Sequence, residues 1–240
     1  MTQIVQRGFV PSDKIEFNNK NIDLLKKAQE DICLLLNRGY GIDKTIEFIG
    51  NHFLFSARQR LALKRSLSSF EDVKRREKHK LINEYENSTI NIDGLNIIIT
   101  LEVALSNSTL LRCMDGTLRD LAGLRGTYKL IDKTDVAIEL IGLKLNKMKP
   151  QKVIFYLDSP VSNTGRLKLK ILELLDKYNF DVDVILVPNA DVILNKLDHV
   201  VTSDGIILNT CTSWINLAYE IISEELPNTY YIDFQISQWG

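Results

Sequence analysis

Cysteine is scarce in this chain. Cys33, Cys113 and Cys211 stand tens of positions apart and form no C-x-x-C pair. That spacing argues against a disulfide framework or a zinc knuckle and makes a reducing cytoplasm the expected compartment. Proline and glycine are also few, 5 and 12 among 240 residues, which excludes a collagen-like or linker-dominated protein. Apolar runs stop after a few residues, as in Asn96-Ile97-Ile98-Ile99-Thr100, far short of the roughly 18–20 that span a bilayer. No membrane association is expected. Met1 to Val10 holds Gln3, Gln6 and Arg7 without an apolar stretch, so no secretory leader is expected either. His52, His79 and His199 form no H-E-x-x-H pattern, and no G-x-S-x-G elbow occurs. What is present is ordinary globular material, 45% hydrophobic and 25% charged, long enough for one large domain or a core domain with an appendage.

The pattern divides near residue 86. Before it, apolar positions recur at helical spacing over Asn21 to Asn37, with Gly39 and Gly41 as a stop. Further helices are expected over Lys44 to Phe53, from an N-cap at Ser56, and between Phe70 and Tyr85. After it, short apolar runs alternate with helical periodicity. Strands are expected at Thr89–Asp93, Val153–Asp158, Val182–Val187, His199–Asp204 and Tyr230–Phe234. Helices are expected at Thr134–Met148, Thr164–Tyr178, Ala190–Leu197 and Ser213–Leu226, and Asn96 to Leu101 reads as a further strand. Such alternation implies an α/β protein: a three-layer α/β/α sandwich on a mostly parallel sheet (87–240), preceded by a small all-helical module (1–86).

In an open α/β sheet the ligand site lies beyond the carboxyl ends of the strands. Asp93, Asp158 and Asp204 end three of the expected strands, and Asp191 follows a fourth at a helix start. Taken singly, each could be an N-cap. Taken together, convergent carboxylates repel one another unless a cation joins them, and an all-oxygen donor set suits Mg²⁺ or Mn²⁺. Such ions activate water and bind phosphodiesters.

Ile92-Asp93-Gly94-Leu95-Asn96, the strand ending in Asp158, Ala190-Asp191-Val192-Ile193 and Val201-Thr202-Ser203-Asp204-Gly205 together resemble the ordered motifs of PIN-like nucleases, especially the NYN branch. The resemblance covers roughly 88–240. It implies a PIN-like fold, a ribonuclease activity, Asp93, Asp191 and Asp204 as metal ligands, Asp158 assisting, and Asn96 as a supporting polar group. The whole chain also resembles an uncharacterised prokaryotic family that pairs a helical R-Q-R segment, here Arg58-Gln59-Arg60, with a D-x-P-V-S-N-x-G-R-L run, here Asp158 to Leu167. That family brings no activity with it. The interval from Asp93 to Asp158 is long and contains Glu102, Asp115 and Asp120, any of which could replace one of the four.

Three other stretches bear on function. Ser162-Asn163-Thr164-Gly165-Arg166, at a helix start, reads either as a phosphate cradle or as a capping loop. Met114 to Asp120 looks like the opening motif of haloacid dehalogenase-type phosphatases, but Cys113 stands where the nucleophilic aspartate belongs, so the match is read as coincidental. Ser56 to Lys80 carries nine Lys/Arg against three acids; with a net charge of −1 overall, the remainder sums to −7. A basic module beside an acidic one suits a nucleic-acid substrate, with Arg58, Arg60, Lys64, Arg65, Lys74, Arg75 and Arg76 as the backbone-binding set; a solvated helical face is the plain alternative. The expected activity is Mg²⁺- or Mn²⁺-dependent RNA phosphodiester hydrolysis. A non-catalytic RNA-binding or adaptor protein of the same fold is the alternative, and a small-molecule phosphatase a third. Whether copies of the chain associate is left open.

Overall fold

The computed structural model describes residues 5–123 and 126–236. Met1–Ile4, which open the stretch read above for a leader, lie outside them. Five helices come first: α1 (Asp13–Glu16), α2 (Asn19–Asn37), α3 (Ile42–His52), α4 (Ala57–Ser66) and α5 (Phe70–His79). Ser56 caps α4 through a full capping box, accepting from Gln59 N–H while the Gln59 side chain accepts from Ser56 N–H. Helix α5 is shorter than its periodicity predicts. Lys80 adopts an extended conformation, and the following N–H, of Leu81, bonds the Trp214 carbonyl.

The remainder alternates as expected: β1 (Thr89–Asp93), α6 (Gly94–Leu105), β2 (Leu110–Arg112), β3 (Leu118–Asp120), α7 (Asp132–Met148), β4 (Lys152–Asp158), α8 (Thr164–Leu175), β5 (Asp181–Val187), α9 (Ala190–Leu194), β6 (Val200–Val201), α10 (Gly205–Leu208), β7 (Trp214–Ile215), α11 (Leu217–Glu225) and β8 (Tyr231–Asp233). A five-stranded sheet runs in the order β5-β4-β1-β6-β7, every neighbouring pair parallel. Pleating sorts the side chains of β4. Val153, Phe155 and Leu157 enter a core with α6, α7, α8 and α11, while Ile154 and Tyr156 face α9, α10 and Trp214. Helices on both faces of a parallel sheet make the three-layer α/β sandwich that the alternation implied.

Three sequence expectations are corrected. Asn96–Leu101 is not a strand. It lies inside α6, a helix buried on nearly all sides, and burial overrides the β preference of its isoleucines. Ser213–Leu226 is not one helix, because Trp214–Ile215 joins β6 as the sheet's edge. Tyr230–Phe234 forms a strand outside the main sheet: β8 pairs with β2 in a separate three-stranded sheet ordered β3-β2-β8. That small sheet is where the helical module docks. Leu111, Cys113, Met114, Ile232 and Phe234 share one core with α2, α3 and α4, and the Gln29 side chain donates to the Phe234 carbonyl at 2.6 Å. Among the described residues no helix is long and apolar enough to cross a membrane.

The passage from β1 into α6 is tight. A Cβ on Gly94 would lie 2.6 Å from a Leu157 methyl and 3.3 Å from the Tyr156 carbonyl oxygen. Gly94→Ala is expected to destabilise the protein by about 1–3 kcal/mol, the usual cost of overpacking, read as a lower denaturant midpoint at unchanged slope.

Candidate acidic site at the sheet's switch point

In the main sheet the chain winds outward from β1 through β4 to β5, then returns to β1's other side with β6 and β7. The order reverses between β1 and β6, and ligands of such sheets bind in the crevice beyond the strand ends at that reversal. Asp93 ends β1, and Asp204 follows β6 by three residues. Both line a cleft of about 900 Å³, together with Asp158 and Asn96, and the opposite wall comes from the helical module: Tyr40, Ile42, Leu61, Lys64 and Arg65.

The four aspartates are placed differently. Asp93 is 7% exposed and is the formal N-cap of α6, yet its side chain makes no capping hydrogen bond. Its carboxylate accepts from the Thr202 hydroxyl at 2.8 Å. Asp204 does cap, one carboxylate oxygen accepting from Ile206 N–H at 2.7 Å; its other oxygen takes no hydrogen bond among the described residues. Asp158 accepts from Ala190 N–H at 2.8 Å, which fixes the start of α9. Asp191 sits half-buried in the first turn of α9 and is not part of the cleft lining. Asn96 holds the Ser203 N–H and hydroxyl, both at 2.9 Å, and so ties α6 to the turn carrying Asp204.

Residues 82–220 match the family described as a domain of unknown function, DUF5616, and residues 24–79 match a second family, a protein of unknown function, DUF434. The chain belongs to the DUF5616 family. An uncharacterized protein of Methanocaldococcus jannaschii, MJ0935, is 34% identical over 187 residues, covering 78% of this chain and 89% of that protein. No solved structure matches the chain.

Electrostatics single out the acids of this DUF5616 member. None of Asp93, Asp158, Asp191 and Asp204 forms an ion pair among the described residues. Burial pushes the Asp93 carboxyl up to about 7, and the charges of Asp191 and Asp204 add to that, against the Thr202 hydroxyl and the nearby Asn96 N–H. Asp191 is raised too, first by burial and then by Asp204 and Asp158. The four thus feel one another as like charges. Among the described residues no three His, Cys, Asp or Glu side chains stand ready as a complete ligand cage. The donor chemistry nevertheless fits a hard cation that keeps most of its water and takes one or two carboxylates.

Other expected site residues lie elsewhere. Ser162 to Arg166 contribute nothing to the cleft lining, to which their loop gives only Asp158 and Val161. Their polar groups hold the segment around Tyr128 instead: Asn163 donates to the Tyr128 carbonyl at 2.7 Å, Ser162 N–H to the Gly126 carbonyl at 3.1 Å, and Thr164 to Val161. The N-cap of α8 is Asn163, whose side chain makes no capping hydrogen bond, rather than Ser162 or Thr164. Glu102 is also out of reach, fully buried and bonded by Arg7 and Tyr128 at 2.8 and 2.6 Å and by Thr134. Asp120 faces Arg65 and Thr100 on the cleft wall.

The basic set also divides. Arg58 is engaged with Asp13 and the carbonyls of Leu121 and Gly8, and Arg60 with the carbonyls of Phe55 and Glu47. Arg76 is 3% exposed and bonded by Asp115, Asn209 and Ser68. These three hold the fold together rather than forming a solvent-facing patch. Lys74 and Arg75 are exposed on α5 outside the cleft, whereas Lys64 and Arg65, and the enclosed Arg76, line it. Tyr40, 60% exposed at the cleft, has no sequence signal; only the docking of the helices brings it there.

Because the folded-state value of Asp93 is raised, ionising it opposes folding. The penalty is absent near pH 4, grows as pH rises toward about 7, and is constant above that. Asp93→Asn is expected to stabilise the protein in EDTA at pH 8 by up to about 4 kcal/mol, with the gain fading toward pH 4, measured by urea unfolding across pH.

Proposed function

We propose that this protein is a divalent-cation-dependent phosphodiesterase acting on RNA, with the switch-point carboxylates as its active site. One observation carries the proposal: acids gathered at the reversal of the sheet, raised by burial and by one another's charge and forming no ion pair among the described residues, stand at a cleft that Lys64 and Arg65 also line. A folded protein keeps such a charge arrangement at a cost in stability, and functional sites are where that cost recurs. The resemblance of the Asp93, Asp191 and Asp204 segments to PIN-like and NYN motifs supports the same reading.

Asp93 and Asp204 are the residues that would hold Mg²⁺ or Mn²⁺, with Asp191 and Asp158 adding negative potential. Bound there, the ion supplies an activated water and neutralises charge on the phosphate. The chain's own residues do the rest. Thr202 orients the Asp93 carboxylate and Asn96 fixes the Ser203 turn. Lys64 and Arg65 take the flanking backbone phosphates across the cleft.

The lack of a preassembled three-ligand cage among the described residues favours a second reading, in which the same cleft binds RNA without cleaving it. One experiment separates the two: incubation of mixed RNA with the protein in Mn²⁺ and in EDTA, with binding followed in parallel. Cleavage in Mn²⁺ that EDTA stops, and that Asp93→Asn and Asp204→Asn reduce by more than the ~10–100-fold typical of outer-shell changes, is the expected outcome. Intact RNA with salt-sensitive binding would establish the adaptor instead. Among the described residues Lys64 makes only a surface pair with Asp43, and it is the clean probe of the basic lining of the cleft. Lys64→Ala is expected to raise KM with kcat little changed, and to reduce the salt slope of binding by about one.

A further inference from the structure

The haloacid dehalogenase-like stretch, set aside as a motif, does something else. Asp115, 5% exposed in the β2–β3 turn, accepts from two arginines on one carboxylate oxygen: Arg76 of α5 at 2.6 Å and Arg119 of β3 at 2.5 Å. Its other oxygen accepts from the Thr117 hydroxyl and N–H at 2.6 and 3.1 Å, so the carboxylate is fully occupied. Each arginine then reaches past Asp115 to a different side of Asp204. Arg119 donates to the Ser203 carbonyl at 2.5 Å, and Arg76 to the Gly205 carbonyl at 3.3 Å and to Asn209, at the end of α10, at 2.7 Å. The carbonyls immediately before and after Asp204 are thus held by guanidinium groups that share one anchor.

Burial argues that this is more than incidental packing. Two cations and one anion out of water leave a surplus positive charge, an arrangement that favours a nearby anion and is expensive without one. The surplus is on the Asp204 side, where Arg119 and Asp204 interact electrostatically. The network also crosses modules: α5 belongs to the helical part, β3 to the small sheet, and the gripped turn to the main sheet.

We propose that Asp115 is a positioning residue which, through Arg76 and Arg119, clamps the Ser203-Asp204-Gly205 turn and so makes presentation of Asp204 to the cleft depend on docking of the helical module. The functional half of this proposal rests on the RNA-cleavage reading; the clamp itself does not. The test compares wild-type protein with Asp115→Asn by amide hydrogen exchange, by Mn²⁺ titration and by steady-state RNA cleavage. The expected result has three parts: faster exchange over Ser203 to Leu208 with exchange in β4 and β5 unchanged, Mn²⁺ affinity weaker by ~10-fold or more, and kcat reduced while KM holds.

Unchanged exchange at Ser203 to Leu208 would overturn the clamp. Faster exchange with wild-type Mn²⁺ affinity and kcat would overturn its positioning role. A wild-type protein that neither binds Mn²⁺ nor cleaves RNA would overturn the reading of the site, and the exchange result would still decide the clamp. Should Asp115→Asn fail to fold, Arg119→Lys serves with the same readouts, because one ammonium cannot reproduce the guanidinium fork between Asp115 and the Ser203 carbonyl.

Discussion

A carboxylate taken out of water with no cation beside it raises the free energy of the folded state, and this protein keeps one at the most organised point of its sheet. Asp93 ends the central strand, is almost wholly enclosed, and meets the fields of Asp191 and Asp204. The Thr202 hydroxyl and the nearby Asn96 N–H are the groups that favour its charged form. The surroundings follow from holding that charge in place. The Gly94 contact lets α6 begin directly after Asp93, Asn96 ties α6 to the Ser203 turn, and the strand order sets β6 beside β1 so that Asp204 arrives across the crevice.

The contrast with Asp115 shows how differently the same side chain is treated a short distance away. Asp115 is as buried as Asp93, but Arg119 and Arg76 outweigh its desolvation and hold its carboxyl below the ordinary range. Glu102 is likewise bonded, by Arg7, Tyr128 and Thr134, whereas Asp120 pairs with Arg65 yet is still raised by its burial. Arg76 and Arg119 line the same cleft, yet they bond Asp115 and the backbone around Asp204 and form no ion pair with the switch-point acids among the described residues. That selective omission separates a site from an ordinary ion-pair network.

The helical module gains a role from this arrangement. It completes a core with the small sheet, forms the far wall of the cleft, and through Arg76 touches the turn that carries Asp204. Much of the basic charge that made the module look like a nucleic-acid surface is used for that docking. Of the seven basic residues, Lys64, Arg65 and the enclosed Arg76 line the cleft.

The alternation of apolar runs with helical periodicity determined the layered α/β architecture, because a parallel sheet buried on both faces and a helix buried on one leave different local periods in the chain. Ser56 likewise marked the start of α4, and the strand ends carried their aspartates to the sheet edge where a ligand site was expected. Periodicity could not distinguish a helix buried all round from a buried strand, so Asn96–Leu101 read wrongly. A count of charges could not tell Arg76, enclosed among four partners, from Lys64 in the cleft. Nor could spacing reveal that Ser162 and Asn163 bind the Tyr128 segment, that Tyr40 reaches the cleft, or that Arg76 and Arg119 meet on Asp115. Those facts depend on which distant surfaces come together, and the energy of burying a charge is decided there, by the partners that packing supplies or withholds.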